Sequence, residues 1–233
     1  MLLVSYQETA TNANDTHEHP QGIQAGHEPV TDLIALPHRH RYDCTMTATS
    51  IRCHRYGVAQ LAQVRDLLLN VYAEVYASRL ADPFFTVDRF AERLDGQVRA
   101  PNWAAVIGYA GDQDDQPVGY AYGATRPAGS LAWHGVAPTP DPELARETGD
   151  RTFFLFELMV RAPWRKTGAA ATIHEELLRH RHEERASLTV EHDHPKVRAL
   201  YERWGYRYVG SVRPFPDAPL FDMMLRAPIN PAP

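Results

Sequence analysis

Only two cysteines, Cys44 and Cys53, occur in the 233 residues, and they form no CxxC pair. That is too few for a disulfide framework and agrees with a reducing compartment. No apolar run approaches the roughly 20 residues needed to cross a bilayer. The start of the chain, MLLVSYQETATNAND, lacks the basic region and the longer apolar core of a secretory signal. A cytoplasmic protein with no membrane partner is expected. A basic excess is missing too. Net charge is −5, and residues 1–45 carry most of it, with six acids against Arg39 and Arg41. The remainder is nearly balanced, so bulk electrostatics gives no reason to expect nucleic acid. There is no GxxxxGK[ST], which argues against a P-loop ATPase. No GxGxxG opens a first βαβ unit, which argues against a dinucleotide-binding domain. HExxH and Cys/His zinc spacings are also absent.

What is present begins with a polar, histidine-rich segment broken by Pro20, Pro29 and Pro37. Residues 1–46 are expected to be a disordered tail. The body is expected over residues 47–228, with 229–233 as a short C-terminal tail. TATSIRCHRY gives a strand. In the helix that follows, Leu61, Val64, Leu68, Val71 and Val75 form one apolar stripe. TVDRFAERLDGQV gives a second helix with Phe90 and Leu94 inward. NWAAVIGYA and VGYAYGATRP flank the turn GDQDDQP as a hairpin. A connection from Ala128 to Asp150, holding Trp133 and His134, is long enough to be functional or mobile. FFLFELMV is a central strand, followed by a helix from about Gly168 to Arg185. ASLTVEHDHP is a strand and a loop, KVRALYERWGY a short helix, and YRYVGSVRPF and LFDMMLR two closing strands. The order β-α-α-β-β-β-α-β-α-β-β describes one α/β domain on a mixed sheet.

Two features carry chemistry. Glu157 stands alone in FFLFELMV, where a carboxylate must find a partner, gain a proton or face a cavity. Directly after it, VRAPWRKTGAAATIHEELL joins a strand end, a basic turn, a glycine and a helix start. The first N–H groups of a helix lack partners and sit at the positive end of its dipole, which suits an anion. Gly168, Ala169 and Ala170 keep the approach low, Thr167 is a candidate N-cap, and Arg165 and Lys166 add charge.

ELMVRAPWRKTGAAATIHEELL resembles the acetyl-CoA motif of the GNAT superfamily of N-acetyltransferases, with Arg165, Gly168 and Ala170 meeting its R/Q-x-x-G-x-G/A signature. HPKVRALYERWGY resembles the family's N-x-x-A-x-x-L-Y-x-x-x-G-F/Y, with His194 in place of its asparagine and Val197 in place of its alanine. The likeness covers residues 50–227. It implies a split between the central parallel strands and acetyl-CoA as acyl donor. The pyrophosphate would lie on the turn from Arg165 to Ala170, with Lys166, Thr167 and Ala169 in its wall. The backbone of Leu158, Met159 and Val160 would bind the pantetheine arm, with His194 supporting the loop beside it. Glu157 is implied as the base and Tyr201 as the acid that protonates the leaving thiolate. The segment joining the first two helices is implied to overlie the acceptor, so Asp82 or Asp88 could hold a cationic amine and Phe84 and Phe85 line its pocket. Residue patterns alone leave each open to a plain reading, a helix-start aspartate and packing phenylalanines.

The expected activity is acetyl transfer to a primary amine, on a small molecule or a peptide. The alternative is a non-catalytic acyl-CoA-binding sensor or interaction module on the same fold. Twelve histidines invite a metal, but His180 and His182, two apart on a helix, diverge, so none is expected. RHRHEER, residues 179–185, is expected as the exposed end of the cofactor helix. Oligomeric state stays open, a homodimer included.

Overall fold

The computed structural model describes residues 50–111 and 116–230, together with the backbone of Leu3 and Val4. The rest of the expected tail, residues 112–115 of the hairpin turn, and residues 231–233 lie outside the described residues. Contacts divide the chain into two units, and the one holding the sheet takes in residues 1–7 and 48–233.

The elements are β1 (Leu3–Val4), β2 (Arg52–Gly57), α1 (Leu61–Val75), α2 (Val87–Gln97), β3 (Ala104–Ala110), β4 (Gln116–Thr125), α3 (Pro142–Ala145), β5 (Thr152–Val160), α4 (Ala169–Leu178), β6 (Arg185–Glu191), α5 (Pro195–Arg203), β7 (Arg207–Val212) and β8 (Phe221–Arg226). Apart from β1 and the single turn of α3, this is the order expected from the sequence. Seven strands run β2-β3-β4-β5-β6-β8-β7, with β1 off that path against β6. Among the described residues, only the β5–β6 and β1–β6 pairs are parallel. Among the described residues no helix is long and apolar enough to cross a membrane.

Apolar side chains fill both faces of the sheet. On one, α1 and α2 bury Val64, Leu68, Val71, Phe90 and Leu94 against Ala105, Ile107, Tyr120, Tyr122, Phe154, Phe156 and Met159. On the other, α4 and α5 bury Ile173, Leu177, Val197 and Tyr201 against Val106, Ala121, Phe153, Leu155, Leu158 and Val160. Burial on both faces explains why β5 is a nearly unbroken apolar run.

Two irregularities of the sheet concern β5 and β6, the first being the expected split. These strands pair only at Thr152–Phe154 with Arg185–Ser187, and their C-terminal halves separate. Across the gap β1 pairs with β6, Leu3 opposite Thr189 and Val4 opposite Val190. On its other side, β5 carries an extra residue against β4. Leu155 faces Gly123 and Glu157 faces Tyr122, so Phe156 is in excess and the strand bulges.

Three sequence expectations need correction. The helix after the turn ends at Leu178, well before Arg185. RHRHEER is therefore no exposed helix end: Glu183 and Arg185 are buried, and Arg185 opens β6. Arg181 lies over the Phe153 ring at 3.9 Å. Glu183 accepts the Thr125 hydroxyl at 2.6 Å. The long 128–150 connection is anchored: Trp133 donates to Glu147 at 2.7 Å, and Glu147 also accepts from Thr152 at 2.8 Å and Arg185 at 3.2 Å. The packed domain also reaches past 228, since Ile229 is buried and its N–H donates to the Glu184 carbonyl.

Candidate active site

The turn after β5 is built from a 3₁₀ segment, Ala162–Trp164, and a glycine. Pro163 sets its first turn, and the Arg165 Nε donates to the Val160 carbonyl at 3.2 Å, closing the loop on the strand end. Lys166 and Gly168 both have positive φ, 64° and 94°. Gly168, not Thr167, is the N-cap of α4. Thr167 donates its hydroxyl to the Trp164 carbonyl at 2.7 Å and accepts only a long 3.4 Å bond from the Ala169 N–H. A Cβ at Gly168 would meet nothing within 4 Å, so its side of the turn opens outward. The exposed part of the turn is therefore Lys166, Thr167 and Gly168, with no side chain above Gly168, and Ala169 is buried at the helix start behind it.

Leu158, Met159 and Val160 pair with β4 on one edge, and β6 has left them on the other. In the gap beside that edge β1 lies against β6, and without it the edge can accept an extended group as an added strand.

The bulge decides what Glu157 faces. Simple alternation from Phe153 and Leu155 would send it toward α4. With Phe156 in excess, Met159 falls in the α1–α2 layer while Leu158 and Val160 fall in the α4 layer, and Glu157 goes with Met159. Its carboxylate is 0 % exposed, and neither oxygen has a hydrogen-bond partner among the described residues. Burial pushes its pKa well above the usual carboxylate range; the Arg93 guanidinium opposes this and the Glu191 carboxylate adds to it. Tyr72, Tyr76, Tyr120 and Tyr122 all feel its charge.

Tyr201 stands on α5, packed edge-on against Trp204 and Tyr206. Burial holds its phenol well above the ordinary range, with smaller contributions from Tyr206 and from the charge of Glu157. His174, unremarked in the sequence, braces this cluster: its Nε2 meets the Tyr206 hydroxyl at 3.0 Å and its ring stacks on Trp204. A histidine on the buried stripe of α4, next to Ile173 and one turn before Leu177 and Leu178, was its only sequence signal.

The acceptor-side candidates divide. Asp82 is exposed and spends its carboxylate on the Phe84 N–H, 2.9 Å, at the start of the Pro83–Phe85 turn. Asp88 lies in the first turn of α2, whose N-cap is Thr86. Phe84 and Phe85 are buried and pack against the α1–α2 layer. Arg79, between those helices, lies over Phe85 at 3.6 Å and holds both oxygens of Glu191 at 2.8 and 2.9 Å. This pair ties the α1–α2 connection to the end of β6, and no local pattern marks it.

His194 starts α5, caps nothing with its side chain, and places Nε2 3.7 Å from Glu191. Glu191, Asp193 and His194 do bring ligand-type atoms within 4.8 Å of one another, but Arg79 already takes both Glu191 oxygens.

The family model for the acetyltransferase (GNAT) family matches residues 65–206, which hold the helices, the split strands and the turn just described. The chain belongs to the GNAT family. Among solved structures, an aminoglycoside 6′-acetyltransferase type Ii is 19% identical, with 78% of this chain and 99% of that one covered and a TM-score of 0.51. An aminoglycoside 6′-N-acetyltransferase complexed with coenzyme A matches with the same identity and coverage and a TM-score of 0.50. At that identity the likeness speaks for the GNAT fold alone. A search of curated proteins finds no match.

Proposed function

We propose that this GNAT-family chain moves an acetyl group from acetyl-CoA to a primary amine by direct attack in a ternary complex. The observation that supports it most is Glu157, buried where β5 leaves β6 and without a hydrogen-bond partner among the described residues. A raised pKa suits a base that takes a proton near neutral pH.

In this reading the pyrophosphate lies on the N–H groups at the start of α4, from Arg165 through Lys166, Thr167 and Gly168 to Ala169 and Ala170. The pantetheine arm runs along Leu158–Val160. The amine nitrogen attacks the thioester carbon and gives a proton to Glu157, directly or through water. The C–S bond breaks, and Tyr201, still protonated because its pKa is raised, supplies a proton to the departing sulfur. A backbone N–H of the free β5 edge faces the carbonyl oxygen as negative charge grows there. Phe84 and Phe85 back the acceptor side, and His194 lies beside the cofactor loop.

Calorimetry with acetyl-CoA, followed by a screen of amines for CoA release, tests the proposal. Micromolar binding and amine-dependent release are expected. A chain starting at Met46 should bind at least as tightly, because Leu3 and Val4 pair along the same gap. His194 in place of the motif's asparagine favours a second reading, a non-catalytic acyl-CoA-binding module. Binding without release for any amine would select it.

A further inference from the structure

The α1–α2 layer that Glu157 faces holds four buried tyrosines, Tyr72, Tyr76, Tyr120 and Tyr122, and three of them have hydroxyl partners. Tyr72 donates to the Phe85 carbonyl at 3.1 Å, Tyr120 to the Met159 sulfur at 3.2 Å, and Tyr122 to Gln97 at 2.8 Å. Tyr76 is the exception. It is 0 % exposed and its hydroxyl has no partner among the described residues, and neither does the Glu157 carboxylate. Native proteins rarely leave a buried hydroxyl and a buried carboxylate both unmatched, so a third group is expected to satisfy them.

We infer that Tyr76 is a substrate-positioning residue, and that its hydroxyl oxygen and Glu157 each receive one N–H of the acceptor nitrogen. The inference rests on the acetyl-transfer reading above and adds to it what makes the site select a primary amine.

The frame is rigid on the Tyr76 side. Tyr76 is the C-cap of α1, its N–H bonded to the Tyr72 carbonyl at 2.9 Å. Its ring lies 4.6 Å from that of Tyr72 and stacks 5.2 Å from that of Phe85. Burial, then the charge of Glu157, keeps the phenol protonated, so toward an N–H it offers oxygen lone pairs.

An attacking amine nitrogen has four directions to assign. In a primary amine one holds the substituent, two are N–H bonds and the fourth is the lone pair. With one N–H on Glu157 and one on Tyr76, the lone pair is left for the thioester carbon at the free edge of β5. A secondary amine has only one N–H. One of the two buried acceptors then stays empty, and the extra carbon must fit against it. A site built to bond an N–H discriminates strongly against an analogue without it.

Methylamine and dimethylamine, small enough for any acceptor pocket, are the probes. With saturating acetyl-CoA and CoA release as the readout, the unaltered chain should prefer methylamine by about 100-fold in kcat/KM. Tyr76→Phe should lower kcat/KM for methylamine about tenfold and change dimethylamine by less than about twofold, so the preference shrinks. Its acetyl-CoA Kd should stay unchanged, and its Tm should not fall, because the deleted hydroxyl has no partner among the described residues. An equal fall for both amines, or an unchanged preference, would overturn the role of Tyr76. So would equal turnover of the two amines by the unaltered chain, which needs no variant. No amine-dependent release from the unaltered chain is a different failure: it removes the transferase reading, and this inference with it.

Discussion

Glu157 faces Tyr122 across the β4–β5 ladder, while Leu155, two residues back, faces Gly123, the next residue of β4. The residue in excess, Phe156, turns the carboxylate from the α4 layer to the α1–α2 layer. There it shares a layer with four tyrosines and has no hydrogen-bond partner among the described residues. One bulge thus converts a position that alternation assigns to the α4 face into one that faces the α1–α2 layer.

Replacing Glu157 by Gln should lower kcat by about 10²-fold or more, the range for loss of a general base. In the unaltered chain, kcat/KM should rise with pH through the raised pKa of Glu157, and the Gln variant should lose that limb. An unchanged pH–rate profile would remove Glu157 from the mechanism. Stability should move in the opposite sense. Because the folded-state pKa lies above the unfolded value, the native state holds the extra proton, and stability falls as pH rises from the ordinary carboxylate range toward the raised pKa. Glu157→Gln should therefore raise Tm at pH 8 more than at pH 4, as read by thermal melts at both pH values.

Tyr201→Phe keeps the ring that packs on Trp204 and Tyr206 and deletes only the proton donor. The expected result is a kcat lower by about 10²-fold, with the acetyl-CoA Kd and Tm unchanged. A loss of Tm that accounts for the lost activity would reassign Tyr201 to the core. Stopped-assay kinetics and melts on the same preparation separate the two.

Gly168→Ala addresses the turn. Space is available, but a φ of 94° is unfavourable for a residue with a Cβ, at a cost of about 1–2 kcal/mol. The methyl group would also stand on the proposed pyrophosphate approach. Calorimetry should show acetyl-CoA bound roughly tenfold or more weakly, beyond what the melting temperature explains. Unchanged affinity would place the pyrophosphate elsewhere.

At the far end of β5, Glu147→Ala would leave Arg185, 4 % exposed, without its carboxylate, and would take the acceptor from Trp133 and Thr152. Removing one partner of such a buried pair costs about 3–5 kcal/mol. Urea unfolding should show that loss, while acetyl-CoA affinity below the transition should be unaltered, since this cluster is remote from the turn at Gly168.

The long elements were legible in the sequence because periodicity reports burial directly: the stripe of α1 and the apolar run of β5 are both where the pattern places them. The two GNAT motifs located the turn and Tyr201, because a backbone that must approach a ligand needs small residues at fixed spacing. Short-range pattern failed where distant groups compete for a side chain. RHRHEER looks like a solvated helix end, yet Phe153 draws in Arg181, Thr125 meets Glu183, and Glu147 holds Arg185. Thr167 looks like an N-cap, yet a positive φ at Gly168 hands the cap to the glycine and leaves the threonine hydroxyl to Trp164.

By itself, then, the sequence determined the element order, the two-faced burial of β5 and the presence of one carboxylate inside it, all of which follow from local spacing of apolar side chains. Which way that carboxylate points, which hydroxyls around it are already bonded, and how Arg79 reaches Glu191 across 112 residues were decided only by tertiary structure. A bulge is a mismatch between two strands and an orphan hydroxyl is a mismatch between a side chain and all its neighbours. Neither quantity exists until the chain has folded.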